Sequence, residues 1–362
     1  MNTRSSHTRL IGIALALFVW AIVTAAMPIL SVAQSDSGLT EERVDPSAGN
    51  MKEGSSALGS GEETTAPAEE EPPGIIGTLI TAKYIGFAVI IVAGVVLLLL
   101  RRVRLWVRIT AMAAVFVLYG LDYIFPLHPS PMCAVTKLFM FKFTWGSFFA
   151  AFVALFLAIM IPSLIGRKLF CGWVCPLGAL QDLVNKIPFK WRFKQFNFQA
   201  FNSLRFGLLA LFFLTFFTIK NQITFLGQQT GADLSSSIWT AYSAYSVYEP
   251  VNFFELLHWS ISTTFFVMMG VLLLASLILY RPFCYLICPV GALTWLLEKV
   301  APGRIRIDHS KCNECGLCVI KSPCPTIKPM IERSKAALPD CTSCGECIDT
   351  CNRDAIRFTF HS

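Results

Sequence analysis

The chain is 362 residues long, 54% hydrophobic and 15% charged, with a formal net charge of +7. Soluble domains hold roughly 45–50% apolar and about 25% charged residues, so this composition excludes an ordinary water-soluble globule. No basic stripe interleaved with aromatics stands outside the segments flanking apolar runs, which excludes nucleic acid as a partner.

At the N-terminus, Arg4 and Arg9 precede an apolar stretch from Leu10 to Val32 that closes on a small-x-small pattern at Ser31 and Ala33. This is the layout of a secretory signal peptide, and the long apolar part equally suits a retained signal-anchor helix; residues 1–33 are assigned to one or the other. Residues 34–74 ("SGEETTAPAEEEPPG" at their end) have no hydrophobic periodicity. They predict a disordered acidic linker on the extracytoplasmic side. Five apolar runs follow, at about 75–100, 105–125, 143–165, 204–220 and 258–280, each near the ~20 residues that cross a bilayer. They predict a transmembrane domain over 75–300. The bias of Lys and Arg toward the cytoplasm puts Arg101, Arg102, Arg104 and Arg108, the 167–205 segment and everything from Arg281 onward inside, with 126–142 and 221–257 outside.

Residues 170–180 read "FCGWVCPLGAL" and residues 283–293 read "FCYLICPVGAL". Cys171 and Cys284 are 113 residues apart, a separation that suits two related membrane half-units. Cysteines four apart on a helical turn project to one face, and the proline sets the backbone where the chain leaves the span. Cys171 and Cys175 with Cys284 and Cys288 supply four thiolates for one iron–sulfur centre, or each pair binds separately with other ligands or cycles as a dithiol. The orientation puts both pairs on the cytoplasmic face.

Eight of the thirteen cysteines lie beyond residue 311. Cys312, Cys315 and Cys318 form Cys-x-x-Cys-x-x-Cys, followed by Cys324 and Pro325; Cys341, Cys344 and Cys347 form a second run, followed by Cys351. A cubane cluster needs four thiolates, and in two-cluster ferredoxins the fourth comes from the other motif. That assigns Cys312, Cys315, Cys318 and Cys351 to one [4Fe–4S] cluster, and Cys324, Cys341, Cys344 and Cys347 to another. Residues 304–360 resemble the bacterial two-cluster ferredoxin domain. They depart from it in the five residues between Cys318 and Cys324, where three are usual, and in Asn352 standing where proline follows the last cysteine. Paired zinc sites are the competing use of four-cysteine sets, but zinc ribbons lack the triple run with a distant Cys-Pro.

Two Cys-x-x-x-Cys-Pro motifs, several spans and a two-cluster tail together resemble the NapH, NosR and CcoG group of membrane iron–sulfur proteins over about residues 75–360. The layout is nearest the NapH-like end of that group. The fold this implies is an all-α polytopic membrane domain of about five transmembrane helices plus the N-terminal signal or anchor helix. It is joined to a C-terminal α+β two-cluster ferredoxin domain at 301–362. The resemblance also implies a multi-pass protein of a prokaryotic cell membrane. Such a protein passes electrons between the quinone/quinol pool and redox partner subunits of a larger complex, as a quinol dehydrogenase component.

A quinol site needs a proton acceptor near a membrane surface. Asp122 and His128, at the end of the second run, are the candidates, since an ionisable residue at membrane depth is a functional hypothesis by default. His258 starts the last run on the same side and with His128 forms a candidate haem pair. Cys133 is the cysteine left over from the three sets. Two alternative functions use the same motifs: a metal-reducing assembly factor for a respiratory oxidase or reductase, and a non-catalytic iron–sulfur anchor of a larger complex.

Overall fold

The computed structural model describes residues 74–121, 130–193, 197–248, 251–253, 263–332 and 340–360. The signal or anchor segment, the acidic linker, Asp122, His128 and His258 lie outside the described residues. What is described is mostly helical, with a two-stranded antiparallel sheet near the C-terminus.

The first apolar run divides into α1 (Ile75–Leu79) and α2 (Ala82–Leu99). The division has a local cause: Thr78 Oγ1 donates to the Gly74 carbonyl at 3.1 Å and Thr81 Oγ1 to the Thr78 carbonyl at 2.9 Å, hydroxyls competing for the backbone at the junction. Helix α2 is apolar around its whole circumference. Tyr84, Phe87, Ile91 and Leu98 are buried, while Ile85, Val89, Val92 and Val96 are exposed, a pattern of helices whose outer face does not meet water. Next come α3 (Leu105–Val115), which continues as a π-helical turn over Phe116–Gly120, and α4 (Cys133–Trp145).

Two copies of one unit follow. The first is α5 (Ala150–Gly166), α6 (Leu169–Trp173) and α7 (Pro176–Lys186). The second is α10 (Thr263–Ile278), α11 (Pro282–Leu286) and α12 (Pro289–Glu298). Between them lie α8 (Phe198–Thr230) and α9 (Ser235–Tyr245). Among the described residues α2 and α8 are long and apolar enough to cross a membrane; Leu105–Gly120, Ala150–Gly166 and Phe265–Ile278 are apolar but shorter. Helix α8 runs well past the predicted 204–220. Its 33 residues extend about 50 Å at about 1.5 Å per residue. Asn197 caps its start by accepting from Ala200 N at 3.3 Å.

Residues 130–142, part of the connection that the charge bias assigns to the outer side, begin beside the Cys-Pro motifs. Pro131 lines the same cavity as Cys171, Cys175, Cys284 and Cys288, and from Cys133 the chain is helix with Ala134, Val135 and Leu138 buried. The reason is the apolar content of "CAVTKLFMFKFTW", which packs as a core helix despite being too short to register as a span.

The tail is a small α+β unit. Strands β1 (Arg304–Ile307) and β2 (Ile356–Thr359) pair antiparallel, with Ile305 opposite Phe358 and Ile307 opposite Ile356. Ile305, Ile356 and Phe358 are buried while Arg304, Arg306 and Arg357 are partly exposed, the two-residue alternation of a half-covered strand pair. Between the strands lie α13 (Leu317–Lys321), α14 (Ile327–Ile331) and α15 (Glu346–Asp349).

Candidate iron–sulfur site

The Cys-Pro pairs have a backbone explanation. Cys175 is the N-cap of α7 and Cys288 the N-cap of α12, each followed by proline at the first helical position, where a missing N–H costs nothing. Each capping sulfur accepts from the third residue onward: Gly178 N to Cys175 Sγ at 3.4 Å and Gly291 N to Cys288 Sγ at 3.4 Å. Both sulfurs therefore sit at the positive end of a helix, which favours the thiolate. The glycines are required by space. A Cβ at Gly178 would lie 2.9 Å from the Cys171 carbonyl oxygen, and one at Gly291 would lie 2.6 Å from that of Cys284.

The two halves meet at one cavity, lined by all four of these cysteines. Each half supplies a polar side chain to the other's first cysteine, from the position ten residues after its own. Gln181 Nε2 donates to Cys284 Sγ at 3.5 Å, and the Thr294 hydroxyl lies beside Cys171. Gln181 also accepts from Phe283 N at 3.0 Å, tying the halves together. Two buried arginines hold the same backbone: Arg281, from the second half, donates Nη1 to the Cys171 carbonyl at 2.7 Å, and Arg205, from α8 between the halves, donates Nη1 to the Cys284 carbonyl at 3.2 Å. Arg281 is held by Asp182, whose carboxylate Arg108 also contacts at 3.1 Å. Arg108 in turn stacks on the Trp173 ring at 4.8 Å. Burial alone would raise Asp182, but the Arg281 guanidinium overrides it and holds the carboxyl below its usual range.

The tail brings its cysteines into two further groups. Cys312, Cys315, Cys318 and Cys351 line one groove, with Cys315 exposed. Cys324, Cys341, Cys344 and Cys347 lie within electrostatic reach of one another: burial pushes the Cys324 and Cys347 thiols well up, and Cys344 and Cys341 push them further. The two turns share a shape, with Glu314 (φ 52) and Ser343 (φ 49) both left-handed immediately before the second cysteine of their runs.

The inner turn is seated against the helical domain. Asp340, fully buried, pairs with Lys168 and, at 3.0 Å, with Arg205. Trp173 Nε1 donates to the Ser343 carbonyl at 3.1 Å, and Ser343 Oγ to the Gly166 carbonyl at 3.0 Å. Glu298 accepts from Cys341 N at 2.9 Å and pairs with Arg167 at 3.1 Å; burial and the nearby Asp340 push its carboxyl up to about 8. Asp340 and Thr342 line the four-cysteine cavity, so the turn bearing Cys341 and Cys344 forms one of its walls.

The donor sets suit iron–sulfur clusters. Burial pushes Cys284 up to about 11, with Cys171 adding to the effect. Burial likewise raises Cys175, and Cys284 raises it further. Thiolates gathered in a dry cavity repel one another unless a cationic core lies between them. Among the described residues no three His, Cys, Asp or Glu side chains stand close enough to share a single metal ion. A cubane asks for a wider set, because each thiolate binds a different iron, whereas four sulfurs on one zinc each lie about 2.3 Å from the same ion. Cys133 belongs to none of the groups. It is buried, and Ser130 Oγ lies 3.2 Å from its sulfur.

Several residues here had no signature in the sequence. Lys168, Arg205 and Arg281 read as basic flanks of spans, and Asp182 and Glu298 as polar positions of amphipathic helices. The one available signal was the repeat itself: aligned on their cysteines, the halves place Lys168 opposite Arg281 and Gln181 opposite Thr294.

A family profile described as a 4Fe-4S binding domain matches the chain twice, at residues 147–194 and 261–308, each match enclosing one Cys-x-x-x-Cys-Pro motif. The ferredoxin-type protein NapH of Escherichia coli is 27% identical over 228 residues, 58% of this chain and 69% of NapH. YccM of the same organism is 27% identical over 202 residues, 56% of this chain; the chain spans about half of YccM's length, 54%. The regulatory protein NosR of Pseudomonas aeruginosa is 24% identical over 184 residues, 50% of this chain and 23% of NosR. The chain is thus similar to ferredoxin-type iron–sulfur proteins of the NapH/NosR type. The profile matches support [4Fe–4S] chemistry and, with the ferredoxin-type relatives, an electron-transfer role. No solved structure matches the chain.

Proposed function

We propose that this protein carries electrons between the quinone/quinol pool of a prokaryotic cell membrane and a redox partner subunit. In this reading three iron–sulfur centres stand in sequence: one on Cys171, Cys175, Cys284 and Cys288, one on Cys324, Cys341, Cys344 and Cys347, and an outermost one on Cys312, Cys315, Cys318 and Cys351. The observation that carries the reading is the shared wall: Asp340 and Thr342, from the turn bearing Cys341 and Cys344, line the cavity of the first four thiols. Cys347 lies within electrostatic reach of Cys318, which continues the series outward. Neither profile match contains more than one pair of cysteines, so a four-thiolate set within the matched regions needs both halves.

Clusters bound there supply one-electron transfer, dividing the two-electron oxidation of a quinol into single steps. The chain's own part is to hold thiolates at helix N-termini, exclude water with the seated inner turn, and leave Cys315 open to a partner. Asp122 and His128 are the proposed acceptors of the quinol's protons. Supporting this, the described residues on either side of them approach the first centre. A Cβ on Gly120 would lie 3.2 Å from Pro176 Cβ, and Pro131 lines the thiol cavity. The tail and the basic connection after α2 share one side, since Arg101 pairs with Asp354 at 3.4 Å; by charge bias that side is the cytoplasm.

The test is anaerobic purification in detergent, iron counting, and addition of a menaquinol analogue while absorbance and electron paramagnetic resonance are recorded. Expected are iron for three clusters and their reduction by quinol, stopped by Cys171→Ala or Cys288→Ala with the two tail clusters intact. Reduction by dithionite but not by quinol would sink the quinol link.

A further inference from the structure

Holding a helix accounts for neither of the arginines on the cysteine carbonyls. Arg281 has a left-handed backbone (φ 49), unusual for a bulky residue, and its side chain is fully buried. Arg205 is fully buried on α8, with its Nη1 on the Cys284 carbonyl. Each guanidinium lies against the backbone of the first cysteine of one Cys-Pro pair, beside the glycine that leaves room for it. A Cβ on Gly178 would be 3.4 Å from Arg281 Nη1, and a Cβ on Gly291 would be 3.3 Å from Arg205 Nη1. The buried charged side chains are Arg108, Lys168, Arg205 and Arg281 against Asp182, Asp340, Glu298 and Glu346, and of the cations Arg205 and Arg281 reach the backbone of the cysteines.

We propose that Arg205 and Arg281 are positioning residues that raise the reduction potential of the centre on Cys171, Cys175, Cys284 and Cys288. The inference rests on the reading that these four thiolates hold a cluster. An oxidised cubane on four thiolates is a dianion, and the two guanidiniums beside its cysteines offset part of that charge. One further electron makes a trianion, and fixed positive charge in a low-dielectric site favours that more negative state. Hydrogen bonds to sulfur act in the same direction, and three of the four sulfurs have one: Cys175 from Gly178 N, Cys284 from Gln181 and Cys288 from Gly291 N. The step is a one-electron reduction: the quinol loses one electron, the centre gains it, and no proton is taken up on the sulfurs. The outermost centre, in its open groove with Cys315 exposed, has no comparable buried cations lining it.

The experiment is a potentiometric titration of the full-length chain in detergent, followed by electron paramagnetic resonance. Arg281→Gln is expected to lower the midpoint of one centre and leave the other two where they were, with Arg281→Lys recovering most of the shift, and Arg205→Gln is expected to lower that same midpoint. Asp182→Asn, close to isosteric, is expected to move the same midpoint upward, and the double variant R281Q/D182N to return it near the original value. Three centres whose midpoints move in neither direction would overturn the proposal. If an arginine variant does not fold, the upward shift in Asp182→Asn decides alone. Iron for two clusters only, with Cys171→Ala silent, would instead remove the reading on which the proposal rests.

Discussion

The two cysteine turns of the tail have nearly the same sequence pattern and the same local backbone, yet they occupy opposite surroundings. The inner turn, Cys341 to Cys347, is buried and gripped by Lys168, Arg205, Glu298 and Trp173 from the helical domain. The outer turn, Cys312 to Cys318, meets an open groove and keeps its charges in exposed pairs. A duplicated ligand motif has thus been put to two uses, and the difference lies in what packs against it. The inner copy depends on buried ion pairs, which are costly to break. The outer copy depends on little beyond its own turn, which leaves it open to another protein.

The strongest way to break this contrast is to remove Asp340. Asp340→Ala leaves Lys168 and Arg205 without their buried partner, a change that costs roughly 3–5 kcal/mol, so a large drop in thermal unfolding temperature is expected. An unchanged melting temperature would mean that the seat is not what holds the tail. Next comes Gly172→Ala, which sets a Cβ 2.2 Å from the Thr342 carbonyl oxygen. The backbone must shift, at a cost of about 1–3 kcal/mol, and the spectrum of the inner cluster should change while that of the outer one does not.

An iron chelator sharpens the comparison without a mutation. The outer cluster, beside exposed Cys315, should lose its signal well before the inner one; simultaneous loss would show that the inner turn is as open as the outer. Smallest of all is Lys328→Ala, which removes an exposed pair 3.8 Å from Glu332 on the tail's surface. Its effect on unfolding should stay within about 0.5 kcal/mol. A larger one would place an unrecognised partner on that face.

Much of the site was legible beforehand because ligand chemistry is local. A triple cysteine run or a Cys-Pro at a helix start is written in consecutive residues, and period and composition likewise located the apolar helices. What was not legible came from packing. Charge bias is silent on what residues 130–142 pack against: Pro131 reaches the thiol cavity and Cys133 starts a buried helix. Lys168, Arg205 and Arg281 looked like ordinary membrane flanks because a basic residue at the end of a span has the same sequence whether it faces water or a buried carboxylate.

Composition, spacing and repeat therefore determined by themselves that the chain is helical and apolar, with iron–sulfur chemistry indicated by the spacing of its cysteines. Tertiary structure alone decided that the two Cys-Pro pairs share one cavity, that Gln181 and Thr294 cross to the opposite half, and that Asp340 closes the wall between that cavity and the tail. The physical reason is range. Capping, helix period and ligand spacing act within a few residues along the chain. The charge balance of a buried centre is set by side chains as far apart in sequence as Arg108 and Asp340, which meet around it only once the halves have packed.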